Sequence, residues 1–152
     1  MSSILIRNGI LTDTTVTHGD VFIDGGKIVK TGDCSGITAD KVIDASGKYV
    51  MPGLVDMHCH LREPGFEHKE TIESGSLSAV RGGFTSIACM PNTNPVIDNP
   101  ALVRYVTMRG AEAGYAHVYP IACITKGMKG EELAELCRMK DAGAVAFSDD
   151  GR

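Results

Sequence analysis

The chain has 152 residues, 43% of them hydrophobic and 22% charged, with a formal net charge of −4. That balance suits a globular chain with a buried core rather than a disordered one. The negative charge leaves no basic stripe to neutralise nucleic-acid phosphates. No apolar run approaches the roughly 20 residues that span a bilayer, and Met1-Ser2-Ser3-Ile4-Leu5-Ile6-Arg7 lacks a basic stretch followed by a long apolar one, so neither a membrane span nor a secretory signal is expected.

Up to about Pro52 the apolar runs are short, at residues 4–6, 21–23, 27–29 and 41–43. Turn signals separate them at Arg7-Asn8-Gly9, Asp24-Gly25-Gly26, Thr31-Gly32-Asp33 and Ala45-Ser46-Gly47. Asp24-Gly25-Gly26 between two β-prone runs predicts a hairpin, and the whole segment a small antiparallel β unit.

From Val50 the period changes. A buried strand lies within residues 50–58, and a helix is predicted over 67–81, stopped by Gly82-Gly83. Strand 84–90, helix 100–112, strand 117–124, helix 131–141 and strand 144–147 follow. This alternation predicts an α/β fold of parallel strands joined by right-handed crossovers. A (β/α)8 TIM-type barrel takes about 250 residues. Residues 53–152 supply about the first four βα units, so the expectation is a truncated half of such a barrel, preceded over residues 1–52 by a small β segment that forms part of a composite β-sandwich.

Five cysteines, Cys34, Cys59, Cys89, Cys123 and Cys137, form no C-x-x-C pair. They suit reduced thiols in a cytoplasmic protein better than a disulfide framework or a zinc knuckle.

Asp56-Met57-His58-Cys59-His60 is the strongest chemical signal. Alternate strand residues share a face, so His58 and His60 present both imidazoles to one side, within reach of one cation. Asp56 has the same parity and could orient a ligand. Arg62 continues the alternation, and a guanidinium there can clamp a carboxylate through two parallel hydrogen bonds. Glu63, Glu67, Lys69 and Glu70 read as a solvated loop and helix start. Met90-Pro91-Asn92-Thr93-Asn94-Pro95 follows the next barrel strand, where the Asn92 amide could line the same pocket. Phe147-Ser148-Asp149-Asp150-Gly151 ends the fourth strand, and one of its two aspartates could join a metal. His18 reads as an exposed turn residue, His68 as a helix-surface residue and His117 as a strand start. The Lys126-Gly127-Met128-Lys129-Gly130 run lacks the spacing of a phosphate loop.

These blocks, together with Pro52-Gly53-Leu54-Val55, Leu61-Arg62-Glu63-Pro64-Gly65 and Gly82-Gly83-Phe84-Thr85, resemble the amidohydrolase superfamily and, within it, the bacterial type of dihydroorotase. The resemblance implies zinc, one or two ions, held by His58, His60 and Asp150. It implies substrate contacts from His60, Arg62 and Asn92, the latter two gripping a carboxylate. It also implies a small-molecule substrate, N-carbamoyl-aspartate or dihydroorotate, in pyrimidine biosynthesis. Assembly as a homodimer or with aspartate carbamoyltransferase is implied for the full-length protein. Two further histidine ligands and the catalytic aspartate of such enzymes would lie beyond Arg152, so the chain alone is expected to be an inactive fragment. Allantoinases and hydantoinases usually place a carboxylated lysine at the Asp150 position, and no lysine stands there. They and a non-catalytic scaffold homologue are the alternatives.

Overall fold

The computed structural model describes residues 2–12 and 15–151. The chain divides into two compact units, Met1–Pro52 and Gly53–Arg152.

The first unit holds β1 (Ile4–Thr12), β2 (Val16–Asp24), β3 (Lys27–Gly32), β4 (Lys41–Asp44) and β5 (Tyr49–Val50). The sheet runs in the order β3-β2-β1-β4, with β5 also on β1. Gly25 and Gly26 both have positive φ, 57° and 77°, as the tightest hairpins require, and they close the β2–β3 turn.

Two features differ from the sequence expectation. Arg7-Asn8-Gly9 is not a turn; it lies inside β1, where the register to β2 shifts between Ile6 and Gly9 and Asn8 takes a φ of 61°. Turn-forming residues here make a bulge, which uses the same left-handed backbone without reversing the chain. The sheet is also mixed: β4 and β5 pair parallel to β1, because segment 33–40 carries the chain across before β4 begins. His18 accordingly sits on β2 opposite Ile10 rather than in a turn.

The second unit contains β6 (Leu54–Cys59), α1 (Ile72–Arg81), β7 (Phe84–Cys89), α2 (Pro100–Ala113), β8 (His117–Ala122), a 3-10 turn at Lys126–Met128, α3 (Leu136–Asp141) and β9 (Ala146–Phe147). Its strands follow chain order, β6-β7-β8-β9, and every pair is parallel. A helix stands in each connection, as the alternating pattern predicts for a partial (β/α) barrel.

Ile87, Cys89 and Val118 from the strands pack with Ile72, Val103, Val106 and Met139 from the helices in one buried cluster. Where α2 meets β8, a Cβ on Gly110 would stand 2.6 Å from the Val118 Cβ, so the helix can lie this close only with glycine there. The start of α2 is fixed by Asn99, whose side-chain oxygen accepts the Ala101 and Leu102 amides while Pro100 fills the first turn.

Two helices are shorter than their acidic N-terminal runs suggest. α1 begins only after Thr71, whose hydroxyl accepts the Ser74 amide while the Ser74 hydroxyl accepts the Thr71 amide. Glu67 instead accepts the Gly65 amide and closes a loop, so residues 67–71 never enter the helix. Residues 131–135 are likewise committed elsewhere: the Lys126 amide bonds to the Glu132 carbonyl and the Ala134 amide to the Ile124 carbonyl. Among the described residues, no helix is long and apolar enough to cross a membrane.

Candidate metal centre

The C-terminal ends of the four parallel strands form one rim, the place where such barrels put their chemistry. β6 delivers His58 and, one residue beyond its end, His60. The strand does not keep strict alternation. Asp56 pairs with Ile87 and Cys59 with Cys89, so three steps of β6 oppose two of β7, a bulge at Met57-His58. Asp56 and Cys59 therefore both turn toward α1, lining a cavity with Ala79, Gly82 and Ile87. Asp56 does not share the face of His58, as unbroken alternation predicts; its carboxylate accepts the His58 amide at 2.9 Å and pins the bulge.

Asp150 comes to this point from the far edge of the sheet, three residues after β9. Its Oδ1 lies 3.5 Å from His58 Nε2 and 4.0 Å from His60 Nε2. The two imidazole rings stand 5.3 Å apart at 69°, and one ligand atom from each of the three residues falls within 4.8 Å of the others. Two donors about 2.0–2.1 Å from a tetrahedral ion are separated by roughly 3.3 Å, so these three side chains could hold a single ion once they draw somewhat closer together.

Asn92, three residues after β7, ties the cluster together. A carboxylate only accepts hydrogen bonds, so it is the Asn92 Nδ2 that donates to Asp150. The amide Oδ1 then faces His60 Nδ1 at 2.9 Å and accepts a hydrogen bond from its N–H. With Nδ1 protonated, His60 Nε2 carries the lone pair, on the side where Asp150 stands.

The neighbouring aspartate has a different task. Asp149 accepts the Ile124 amide at 2.9 Å, the Thr125 amide at 3.2 Å and the Thr125 hydroxyl at 2.7 Å, fastening the loop after β8. Burial pushes its carboxyl up, but the Thr125 and Ile124 bonds outweigh this and leave it below the usual carboxylate range.

A sequence profile of the family described as Dihydro-orotase-like matches residues 47–152. The chain belongs to the dihydro-orotase-like family. It is 55% identical to the dihydroorotase of Pelobacter propionicus over 99% of its own length and 36% of that protein. With the dihydroorotase of Acetivibrio thermocellus it shares 54% identity over 97% of the chain and 35% of the relative. The chain thus spans about a third of the length of the curated relatives it matches. Among solved structures, the L-hydantoinase of Arthrobacter aurescens superposes with a TM-score of 0.83 at 28% identity, covering 97% of this chain and 32% of that one.

In this dihydro-orotase-like chain the remaining candidate, Arg62, is not part of the hydrogen-bonded cluster. Its φ is 62°, and the Glu63 amide bonds back to the Leu61 carbonyl at 2.7 Å, a γ-turn of the rarer, positive-φ kind. For a residue with a Cβ the left-handed region costs about 1–2 kcal/mol. Among the described residues the Arg62 guanidinium has no hydrogen-bond or ion-pair partner.

Glu63 corrects the sequence expectation outright. It is not solvated: only 5% exposed, it accepts the Tyr105 hydroxyl at 2.8 Å, the Arg109 Nε at 2.9 Å and the Ile72 amide at 2.8 Å. Burial raises its carboxyl, while the bonds from Arg109, Ile72 and Tyr105 and the Arg109 charge more than offset this and hold it below the usual range. Its two side-chain partners are four residues apart on one helix, which is visible in the sequence, but nothing there places that helix beside residue 63.

Cys59 lies between the two histidines without competing with them. Its thiol points to the Ala88 carbonyl at 3.4 Å, and burial, helped by the Asp56 charge, pushes it up to about 11. Burial likewise pushes the Cys89 and Cys123 thiols up to about 12. Only thiolates react quickly, so iodoacetamide near neutral pH is expected to modify the exposed Cys137 well before these three. Peptide mass spectrometry reads this directly, and early labelling of Cys59 would contradict its placement.

Proposed function

We propose that this chain carries the metal-binding and carboxylate-binding rim of a dihydroorotase, acting in the cytoplasm to interconvert N-carbamoyl-L-aspartate and (S)-dihydroorotate in pyrimidine biosynthesis. The observation that carries the proposal is the convergence of two imidazoles, an amide and a carboxylate from three strand ends, in a chain 54–55% identical to named dihydroorotases. His58, His60 and Asp150 would hold the ion, and a set of two nitrogens and one carboxylate suits zinc. Zinc so bound supplies Lewis-acid polarisation of the ring amide and a water acidic enough to act near neutral pH.

The chain's own residues do the rest of what is proposed for them. Asn92 keeps His60 in the ligating tautomer. Arg62, without a hydrogen-bond or ion-pair partner among the described residues, offers a planar fork to the substrate carboxylate and so orients the ring over the rim. An allantoinase or hydantoinase reading is weaker, because identity to the L-hydantoinase is 28% against 55% to the dihydroorotase of Pelobacter propionicus.

Isothermal titration of the 152-residue chain with Zn²⁺, and then of the zinc-loaded chain with dihydroorotate, hydantoin and allantoin, tests this. One zinc per chain and a preference for dihydroorotate that Arg62→Ala removes are expected. Preference for hydantoin or allantoin, or dihydroorotate affinity indifferent to Arg62→Ala, would sink it.

A further inference from the structure

Arg62 stands between two anchors. Leu61 before it is 4% exposed and packs so tightly on α1 that a Cβ on Gly75 would come within 2.4 Å of its side chain. Glu63 after it is 5% exposed, with both carboxylate oxygens engaged. One oxygen takes the Tyr105 hydroxyl and the Arg109 Nε from α2; the other takes the Ile72 amide, the first of α1. Two helices and the rim loop therefore meet at one side chain.

Stability alone does not account for a charge in that position, since buried ion pairs can often be replaced by well-packed apolar groups without loss. A strained backbone persists only where its surroundings over-determine it, and the strained residue here is Arg62 itself, with its φ of 62°.

We propose that Glu63 is a positioning residue: clamped by Tyr105, Arg109 and the Ile72 amide, it fixes the sharp turn at Arg62 and so sets the direction from which the Arg62 guanidinium meets a substrate carboxylate. The part that concerns substrate rests on the dihydroorotase reading; the part that concerns the turn does not. Among the described residues, Glu63 makes no hydrogen bond or ion pair to His58, His60 or Asp150, its partners being Ile72, Tyr105 and Arg109, so it acts through the residue before it.

The test uses the zinc-loaded chain with dihydroorotate as probe, and four variants: Glu63→Gln, Tyr105→Phe, Arg62→Ala, and Arg62→Ala combined with Glu63→Gln. Tyr105→Phe removes one bond to Glu63 from a distance and keeps the clamp testable if Glu63→Gln folds poorly. Zinc affinity should stay within about twofold of wild type, because the metal cluster is not touched. Dihydroorotate affinity should fall about tenfold in Glu63→Gln, and the double variant should bind no worse than Arg62→Ala, since both changes remove the same contact. A merely structural role predicts additive losses. Additivity, or unchanged affinity in Glu63→Gln, overturns the proposal. If the zinc-loaded wild type binds no dihydroorotate, the substrate reading fails, and hydrogen exchange decides the clamp by itself. The Phe66 amide bonds to the Arg62 carbonyl at 3.0 Å and the Glu63 amide to the Leu61 carbonyl at 2.7 Å; faster exchange of both in Tyr105→Phe supports it, and unchanged exchange overturns it.

Discussion

Asp150→Asn is expected to weaken Zn²⁺ binding by more than about 100-fold, above the 10–100-fold that loss of a group orienting a ligand typically brings. Asp150 is the only anion in the donor set, and its Oδ1 faces both histidine Nε2 atoms, at 3.5 and 4.0 Å. An asparagine keeps the shape but removes the charge. It also presents an amide to the Asn92 Nδ2, which needs an acceptor. His58→Ala should weaken binding comparably, because it removes a ligand outright. Asn92→Leu should stay within the 10–100-fold range, since it leaves all three ligands and releases only the His60 tautomer and the Asp150 orientation. Competition with a chromophoric chelator measures all three. The ordering matters more than any single value: if Asp150→Asn binds zinc within about threefold of wild type while Asn92→Leu does not, the carboxylate is not a ligand.

The sequence made the alternation of strands and helices legible because the elements of Gly53–Arg152 have periods of their own, with boundaries marked at Asn99-Pro100 before α2 and Gly114 after it but not at the starts of α1 and α3. His58, His60, Asn92 and Asp150, which the structure brings together at the strand ends, could likewise be nominated from the order of motifs. What escaped was set by contacts between distant segments. The bulge at Met57-His58, which turns Asp56 toward α1, depends on the register of β6 against β7, thirty residues later. Spacing alone leaves Asp149 and Asp150 equivalent, the resemblance to the family pointing to Asp150; the contact that separates them is the Thr125 hydroxyl, which engages Asp149. Glu63 looked solvated because acidic residues after a strand usually are; its burial is decided by Tyr105 and Arg109, more than forty residues away. Local chemistry predicts where a side chain sits along an element, and tertiary pairing decides which way it turns.

Gly65→Ala is expected to destabilise the chain by about 2–5 kcal/mol, the sum of left-handed strain and forced overpacking. Gly65 has a φ of 94°, and a Cβ there would lie 1.9 Å from the Asn94 carbonyl oxygen and 2.8 Å from the Asn94 carbonyl carbon. These are backbone atoms, which cannot swing aside as a side-chain end could. The loops after β6 and β7 are also stitched at this point, the Asn94 amide bonding to the Pro64 carbonyl at 2.9 Å. Moving Asn94 moves Asn92, two residues earlier, and with it the bonds to His60 and Asp150, so zinc affinity should fall along with stability. Gly83→Ala isolates the strain from the clash. Its φ is 86°, but a Cβ there meets nothing within 4 Å, so urea unfolding should register only the strain, about 1–2 kcal/mol, with zinc binding unchanged. Equal losses in the two variants would mean that left-handed backbone, not the close crossing of the two rim loops, is what requires glycine at residue 65.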